Sequence, residues 1–396
     1  MNTRTDRHGA QGQPACDTPA FTRRQFLPLL ATPVAAVLAG LRPGASVHAA
    51  ETASAQPLRW GMNKDLASAW ARIEEAANKE GEVTYYGQGL LSQSQIPLLQ
   101  KAFNADYPAI KINMLNAGSG QRVVSRITTE QESRQYHGDL FDTSVRQGLH
   151  SMDPLGFTQS FLPPAGQDKS VQWRDPASPN PGKSGVTLFR SQIHCFFVNS
   201  NLVKPEDEPR TYLDFTHPKH RGGIVWNPPW SVGSGWLVYH YAKKTYGEEW
   251  IKKMQTQQPT FIPNNAEAMG MLARGEHRLA LGVNSSTATT NLIRAGMPIK
   301  AIWPTDFTIK VPGAVVFLKG APHPNATKVL INWFLTANGQ RFWASVGQWP
   351  LRTDIPSTEA WMRGGPASSV IHDQTLLTEE IQKATNDEAA KIFRKA

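Results

Sequence analysis

The sequence predicts an α/β protein built on mostly parallel sheets, and three observations carry that prediction. From Gly81 onward, short β-branched or aromatic runs alternate with helical patterns. A second alternating region follows a stretch, about 158–184, that is rich in Pro, Gln and Asp. Three junctions between a strand and the next helix share a small-residue character, at Ala117-Gly118-Ser119-Gly120, Trp230 to Gly235 and Asn284-Ser285-Ser286-Thr287.

The elements follow in order. Residues 66–80 carry an amphipathic helical pattern. Val83-Thr84-Tyr85-Tyr86 is a short strand, and the helix that begins near Ser92 is stopped by Pro108. Residues 110–115 form a strand, 121–135 a helix and 139–145 a third strand. Strands at 186–190 and 194–199 lead into the second region. There, strands are expected at 223–226, 279–283 and 300–303, with helices near 234–245, 247–257, 265–274 and 286–295. Pro312 to Leu318 reads as a further strand, followed by helices at 323–337, 338–346 and 374–395. No internal repeat is present.

The N-terminus reads as an export leader. Thr22-Arg23-Arg24-Gln25-Phe26-Leu27 opens an apolar stretch to Leu41 that Pro28 and Pro33 interrupt. Crossing a bilayer takes roughly 20 apolar residues, so this stretch fits a cleavable twin-arginine signal, residues 1–49, better than an anchor. Cleavage is expected after Ala49, or else after Ala55, and periplasmic export through the twin-arginine translocase follows from the same reading. Cys16 leaves with the leader, so Cys195 is the one cysteine of the mature chain and no internal disulfide is available. Its surroundings, Ile193 to Val198, read as a buried strand. Cleavage lowers the formal charge from +9 to +6. The excess is dispersed, with no basic block interleaved with aromatics, and this argues against nucleic acid as a partner.

Beyond residue 80 the order of segments resembles the extracellular solute-binding proteins, family 1, of ABC importers, near their ferric-binding and phosphonate-binding branch. The matching pieces are Gly81-Glu82-Val83-Thr84-Tyr85-Tyr86, Asp139-Leu140-Phe141-Asp142, Tyr212 to Ile224, Gly313 to Ala326, Ile331 to Leu335, Gly339-Gln340 and Pro350-Leu351-Arg352. The resemblance implies a type II periplasmic-binding-protein fold, with two α/β lobes joined by crossover hinge strands around a ligand cleft. On that pattern residues 50–80 are an N-terminal lead-in and helix, lobe 1 is 81–187 plus 307–396, and lobe 2 is 188–306. The hinge crossings fall near Arg190 and Pro304-Thr305-Asp306. The resemblance also implies a monomer that delivers its ligand to an inner-membrane permease; feeding a sensor or chemoreceptor is an open alternative.

Open α/β sheets bind ligands beyond the carboxyl ends of their strands. Gly118, Ser119 and Gly120, then Ser231, Gly233 and Ser234, then Asn284, Ser285 and Ser286 occupy such positions. Small residues allow close approach, and N–H groups at a helix start donate to an anion. Each loop also suits simple helix capping. Arg190 is a candidate partner for a carboxylate, phosphate or phosphonate, or for the other lobe. Trp230 is a candidate apolar wall, and Gln88 and Asn265 are further candidates. The expected ligand is therefore a small organic anion. Ferric ion is the alternative, weakened because the ferric branch's adjacent tyrosines have Asn284-Ser285-Ser286 in their place. His217 and His220 are expected at the surface, not on a metal. No dinucleotide, phosphate-loop, haem, zinc or Gly-x-Ser-x-Gly motif is present, so neither a cofactor nor catalysis is expected.

Overall fold

The computed structural model describes residues 59–394, apart from 89, 117–119, 176–182, 232, 284–286, 364 and 366–369. The leader lies outside these residues. Among the described residues no helix is long and apolar enough to cross a membrane.

After a 3-10 turn at Arg59–Gly61, the first α-helix of the described residues is α1 (Lys64–Glu80), which starts two residues before its apolar periodicity does. Asn63 sets that start, because its side chain accepts the Leu66 N–H and satisfies one orphan donor of the first turn. Gly81 ends the helix in the left-handed conformation, φ 71°. There follow β1 (Glu82–Gly87), α2 (Ile96–Asn104), β2 (Lys111–Asn116), α3 (Gly120–Ser133), β3 (Leu140–Ser144) and the short α4 (Val145–Gln147). The strand β4 (Val186–Ile193) then passes almost directly into β5 (Phe196–Asn199).

The second region holds β6 (Ile224–Trp226), α5 (Gly235–Thr256), β7 (Thr260–Phe261), α6 (Asn265–Ala273), β8 (Leu279–Leu281), α7 (Thr287–Arg294) and β9 (Ile299–Ile302). Gly247, at φ 73°, breaks α5 where two helices are expected. The chain returns through β10 (Thr308–Phe317), α8 (Pro324–Leu335), α9 (Ala337–Ser345), β11 (Trp349–Pro350), α10 (Ala360–Arg363), β12 (Ile371–Asp373) and α11 (Glu379–Phe393). The strands β7, β11 and β12 have two or three residues each, too few to show a period in sequence.

Among the described residues there are two sheets. One runs β11-β4-β10-β3-β1-β2, with β12 added on β10, and the other β7-β6-β8-β5-β9. The strands β1, β2 and β3 are parallel, while β10 is antiparallel to both β3 and β4. Because β4–β5 and β9–β10 each contribute a strand to both sheets, they form the ribbon that joins two lobes. This is the two-lobed type II periplasmic-binding architecture.

Each sheet carries its own core. In the first, Phe189 packs on Phe334 and Trp343, with ring centroids 5.2 and 4.6 Å away. Each such large side chain contributes roughly 1.5–3 kcal/mol by leaving water. In the second, Trp226 packs on Trp250, Phe261 and Phe393. Phe393 belongs to α11, so the C-terminal helix, grouped by sequence with the first lobe, buries its end in the second core. Its first turn holds the first lobe instead, where Arg146 Nη1 donates to Glu379 Oε1 at 2.9 Å.

Candidate functional site

The first lobe's part of the site forms where β1, β2 and β3 end. Gln88 follows β1, and its N–H donates to Asp142 Oδ1 at 3.0 Å, tying the end of β1 to β3. The Gln88 side chain lies over Gly120, the first residue of α3; a Cβ there would stand 2.5 Å from Gln88 Oε1. Gln147 approaches the same glycine and accepts a hydrogen bond from the Thr143 hydroxyl. Gly120 is therefore needed for close packing, and no acidic residue occupies the first turn of α3. Gly118 and Ser119 lie outside the described residues.

Behind this rim sits a buried polar group. Asp142 is fully buried and Arg190 is 5% exposed, yet the two make no hydrogen bond with each other. Tyr85 completes the set, and Tyr85 Oη, Asp142 Oδ2 and Arg190 Nε are all buried without a hydrogen-bond partner. Burial pushes the Asp142 carboxyl up to about 6, while the Arg190 charge and the Gln88 N–H pull it down. Burial likewise works against the Arg190 charge, with Asp142 supporting it. Gly313 makes room for Arg190, since a Cβ at 313 would lie 2.5 Å from the guanidinium carbon.

Arg190 is thus not the lobe-bridging ion pair considered from sequence. Its Nη1 donates to Gln348 Oε1 at 3.3 Å, and the guanidinium lies 5.3 Å from the Phe189 ring centre. It acts as a positive charge held inside the first lobe and its hinge strand.

The second lobe's part is organised by Asn227, a residue that sequence reasoning missed. Its Nδ2 donates to Pro263 O at 2.9 Å, and its Oδ1 accepts the Gly235 N–H at 3.2 Å. One amide side chain thereby pins the turn before α5 to the loop before α6. Its position just after the apolar β6 was the available signal. Gly233 and Gly235 are dictated by this packing: a Cβ at 233 would be 2.5 Å from Asn227 Oδ1, and one at 235 would be 1.7 Å from Asn227 O. Ser234 precedes α5 without making a side-chain cap, and the first turn of α5 has no acidic residue. Ser231 donates to Pro228 O at 3.2 Å, closing its own turn.

Gly282, at φ 62°, ends β8 against α5: a Cβ there would be 3.0 Å from the Gly235 Cα. This brings the end of β8 against the start of α5. Asn284, Ser285 and Ser286 lie outside the described residues.

Other expectations find different places. Trp230 packs its ring edge-on against Phe261, with centroids 4.5 Å apart, and Arg394 lies 5.7 Å from its centre. It closes the rim of the second core. Asn265 is the first residue of α6, but the cap is Asn264, whose side chain accepts from Ala266 and Glu267. Asp306 accepts from Tyr212 N and Tyr246 Oη, at 2.8 and 2.6 Å, so it braces the second lobe. His220 is buried at 3% exposure, unlike the surface position expected; burial pushes its imidazole down to about 4. His217 caps the same turn, accepting from Lys219 N at 3.2 Å. Cys195 is buried, and burial pushes its thiol up. Among the described residues no three His, Cys, Asp or Glu side chains are grouped as a metal site would require.

The lobes touch through α7. Arg294 Nη2 donates to Ser345 O at 2.7 Å, and its Nε to Glu359 Oε1 at 3.0 Å. Gly347 lies against Thr290, where a Cβ would be 2.4 Å from Thr290 Oγ1. Trp303, just past β9, meets Trp349 with ring centroids 5.6 Å apart.

Residues 99–365 match a family model described as bacterial extracellular solute-binding protein. A protein of Haemophilus influenzae described only as uncharacterized is 22% identical over 287 residues, covering 69% of this chain and 79% of that one. Among solved structures, a substrate-binding protein of an ABC transporter from Agrobacterium tumefaciens superposes with a TM-score of 0.66 at 15% identity, over 79% of this chain and 94% of that one. AfuA from Actinobacillus pleuropneumoniae, with fructose-6-phosphate bound, gives 0.61 at 18% identity, over 80% and 99%. Iron-bound HitA from Pseudomonas aeruginosa gives 0.60 at 18% identity, over 79% and 98%.

Proposed function

Because this chain belongs to the bacterial extracellular solute-binding protein family, we propose that it captures a small organic anion between its lobes and hands it to an inner-membrane ABC permease. The carrying observation is the pair of helix starts. Both α3 and α5 begin with a glycine, Gly120 and Gly235, and lack first-turn acids, and Ser234 makes no cap. N–H groups at such ends, with the helix dipole behind them, attract anions. The buried Arg190 adds positive charge behind the first lobe's half. Carboxylates, phosphonates and sugar phosphates all have the required acceptor oxygens. The loops Gly118-Ser119 and Asn284-Ser285-Ser286, with Gly233, complete the donor set in this reading; Ser231 holds the turn beside them, its hydroxyl given to Pro228 O, and Gln88 forms the rim.

Binding requires only hinge closure and no covalent step. The protein is accordingly assigned no catalysis and no cofactor, and works as an exported monomer whose leader engages the twin-arginine translocase. The mature protein is tested by thermal shift with inorganic phosphate, citrate, phosphonoacetate and glucose 6-phosphate. Stabilisation by one class, lost in Ser234→Phe and Gly120→Val, is expected. Stabilisation that survives both changes, or turnover of the stabilising compound, would overturn the proposal.

A further inference from the structure

The hinge ribbon has two faces, and the polar group around Arg190 uses only one. Successive residues of a strand point to opposite faces, so Ser191 points away from Arg190. On the Ser191 face a cavity of about 540 Å³ opens, within the range of small-molecule sites. Ser191 pairs with Pro312 of β10 and Trp349 of β11, placing it in the floor where three strands meet. It is 3% exposed, and its hydroxyl has no hydrogen-bond partner. A buried hydroxyl left unmatched costs about 1–3 kcal/mol, a cost that a polar occupant removes.

The charges around the cavity are balanced. Lys310 Nζ reaches Asp175 Oδ1 at 2.5 Å and Asp373 Oδ2 at 3.0 Å, so one cation faces two carboxylates. The second cation on the wall is Arg174, whose side chain is exposed and forms no ion pair among the described residues. Its backbone is fixed to the mouth, since Arg174 N donates to Leu351 O at 2.7 Å. The rest of the lining is Trp349, Ile193 and Ile371, with Thr353, whose hydroxyl donates to Gln172 O at 3.1 Å.

We propose that this face of the hinge is a second small-molecule site, for a zwitterion carrying an ammonium, a carboxylate and an apolar side chain: an amino acid or a dipeptide. The surplus carboxylate at Asp175 and Asp373 takes the ammonium. Arg174 takes the carboxylate, and the Trp349 wall takes the apolar side chain. The assignment stands apart from the interlobe reading, because it uses none of the helix-start loops.

Titration calorimetry on the mature protein tests it, with L-phenylalanine and glycyl-L-phenylalanine as probes. N-acetyl-L-phenylalanine lacks the ammonium, and L-phenylalanine amide lacks the carboxylate. At least one zwitterionic probe is expected to bind, with each single-charge relative at least tenfold weaker. Asp373 Oδ1 accepts from Thr375 N at 2.9 Å, a bond that an asparagine amide oxygen keeps. Arg174→Ala, at an exposed position, and Asp373→Asn are each expected to weaken binding at least tenfold. Ser234→Phe is expected to leave it unchanged. Absence of binding by both zwitterions, equal binding of the single-charge relatives, or loss of binding in Ser234→Phe would overturn the proposal. The last outcome would place the probe between the lobes instead.

Discussion

Gly313 and Arg190 are cross-strand partners on β10 and β4, and the missing side chain of one is the space taken by the other. A Cβ at 313 would approach the Arg190 guanidinium carbon at 2.5 Å, Nε at 2.7 Å and Cγ at 2.8 Å. Gly313→Ala is therefore expected to dislodge Arg190 from beside Asp142. The cost to stability is about 1–3 kcal/mol, typical of overpacking. On the proposed function, anion affinity falls with it. Chemical denaturation and a thermal-shift titration with the stabilising anion check the two effects, and unchanged values in both would sink the relationship.

Gly235 tests how the second lobe's loop is built. Its absent Cβ would sit 1.7 Å from the Asn227 carbonyl oxygen, a backbone atom that has no rotamer to change. Gly235→Ala is expected to lose about 3 kcal/mol, at the upper end of the overpacking range. The measurement is urea unfolding. Gly247→Ala is not an equivalent control, because an alanine at φ 73° would meet backbone strain and no clash.

His194 gives a signed pH dependence. It is 2% exposed, neither ring nitrogen has a partner, and burial pushes its pKa from 6.5 down to about 4. Between those values the unfolded chain holds a proton that the folded chain refuses. Stability is therefore full above pH 6.5 and falls as pH drops toward 4, by about 3 kcal/mol from this group alone. His220, also pushed down to about 4, adds a loss of the same sign. His194→Leu is expected to flatten the decline in part, as read by urea unfolding at a series of pH values. An unchanged slope would show that His194 is not protonated on unfolding.

Arg294 joins α7 to both Ser345 and Glu359 across the lobes. Arg294→Ala is expected to cost about 1 kcal/mol, because a half-exposed pair of charge-assisted hydrogen bonds is lost. Small-angle scattering should show a larger radius of gyration if the contact holds the lobes together. An unchanged radius would leave the contact a local one.

The alternation of short strands and amphipathic helices by itself determined the α/β class and nearly every helix. That information is local, a repeating apolar period within each element; the helix expected from Ser92 to Pro108 is shorter, Ile96–Asn104, and ends before the proline. The small-residue junctions were legible for the same reason, since Gly120 and Gly235 stand where a strand gives way to a helix. Three things required the tertiary structure. The strands β7, β11 and β12 are too short to carry a period, and they exist only because a neighbouring strand supplies their hydrogen bonds. Asn227 looks like any loop asparagine until the loops before α5 and α6 are brought to its two ends. Arg190 and Ser191 are adjacent in sequence, but the pleat sends one beside Asp142 and the other to the opposite cavity. Which face a strand residue serves is set by what packs on each side of the sheet, and some of those partners, Gly313 and Gln348 for Arg190, come from more than a hundred residues away in the chain.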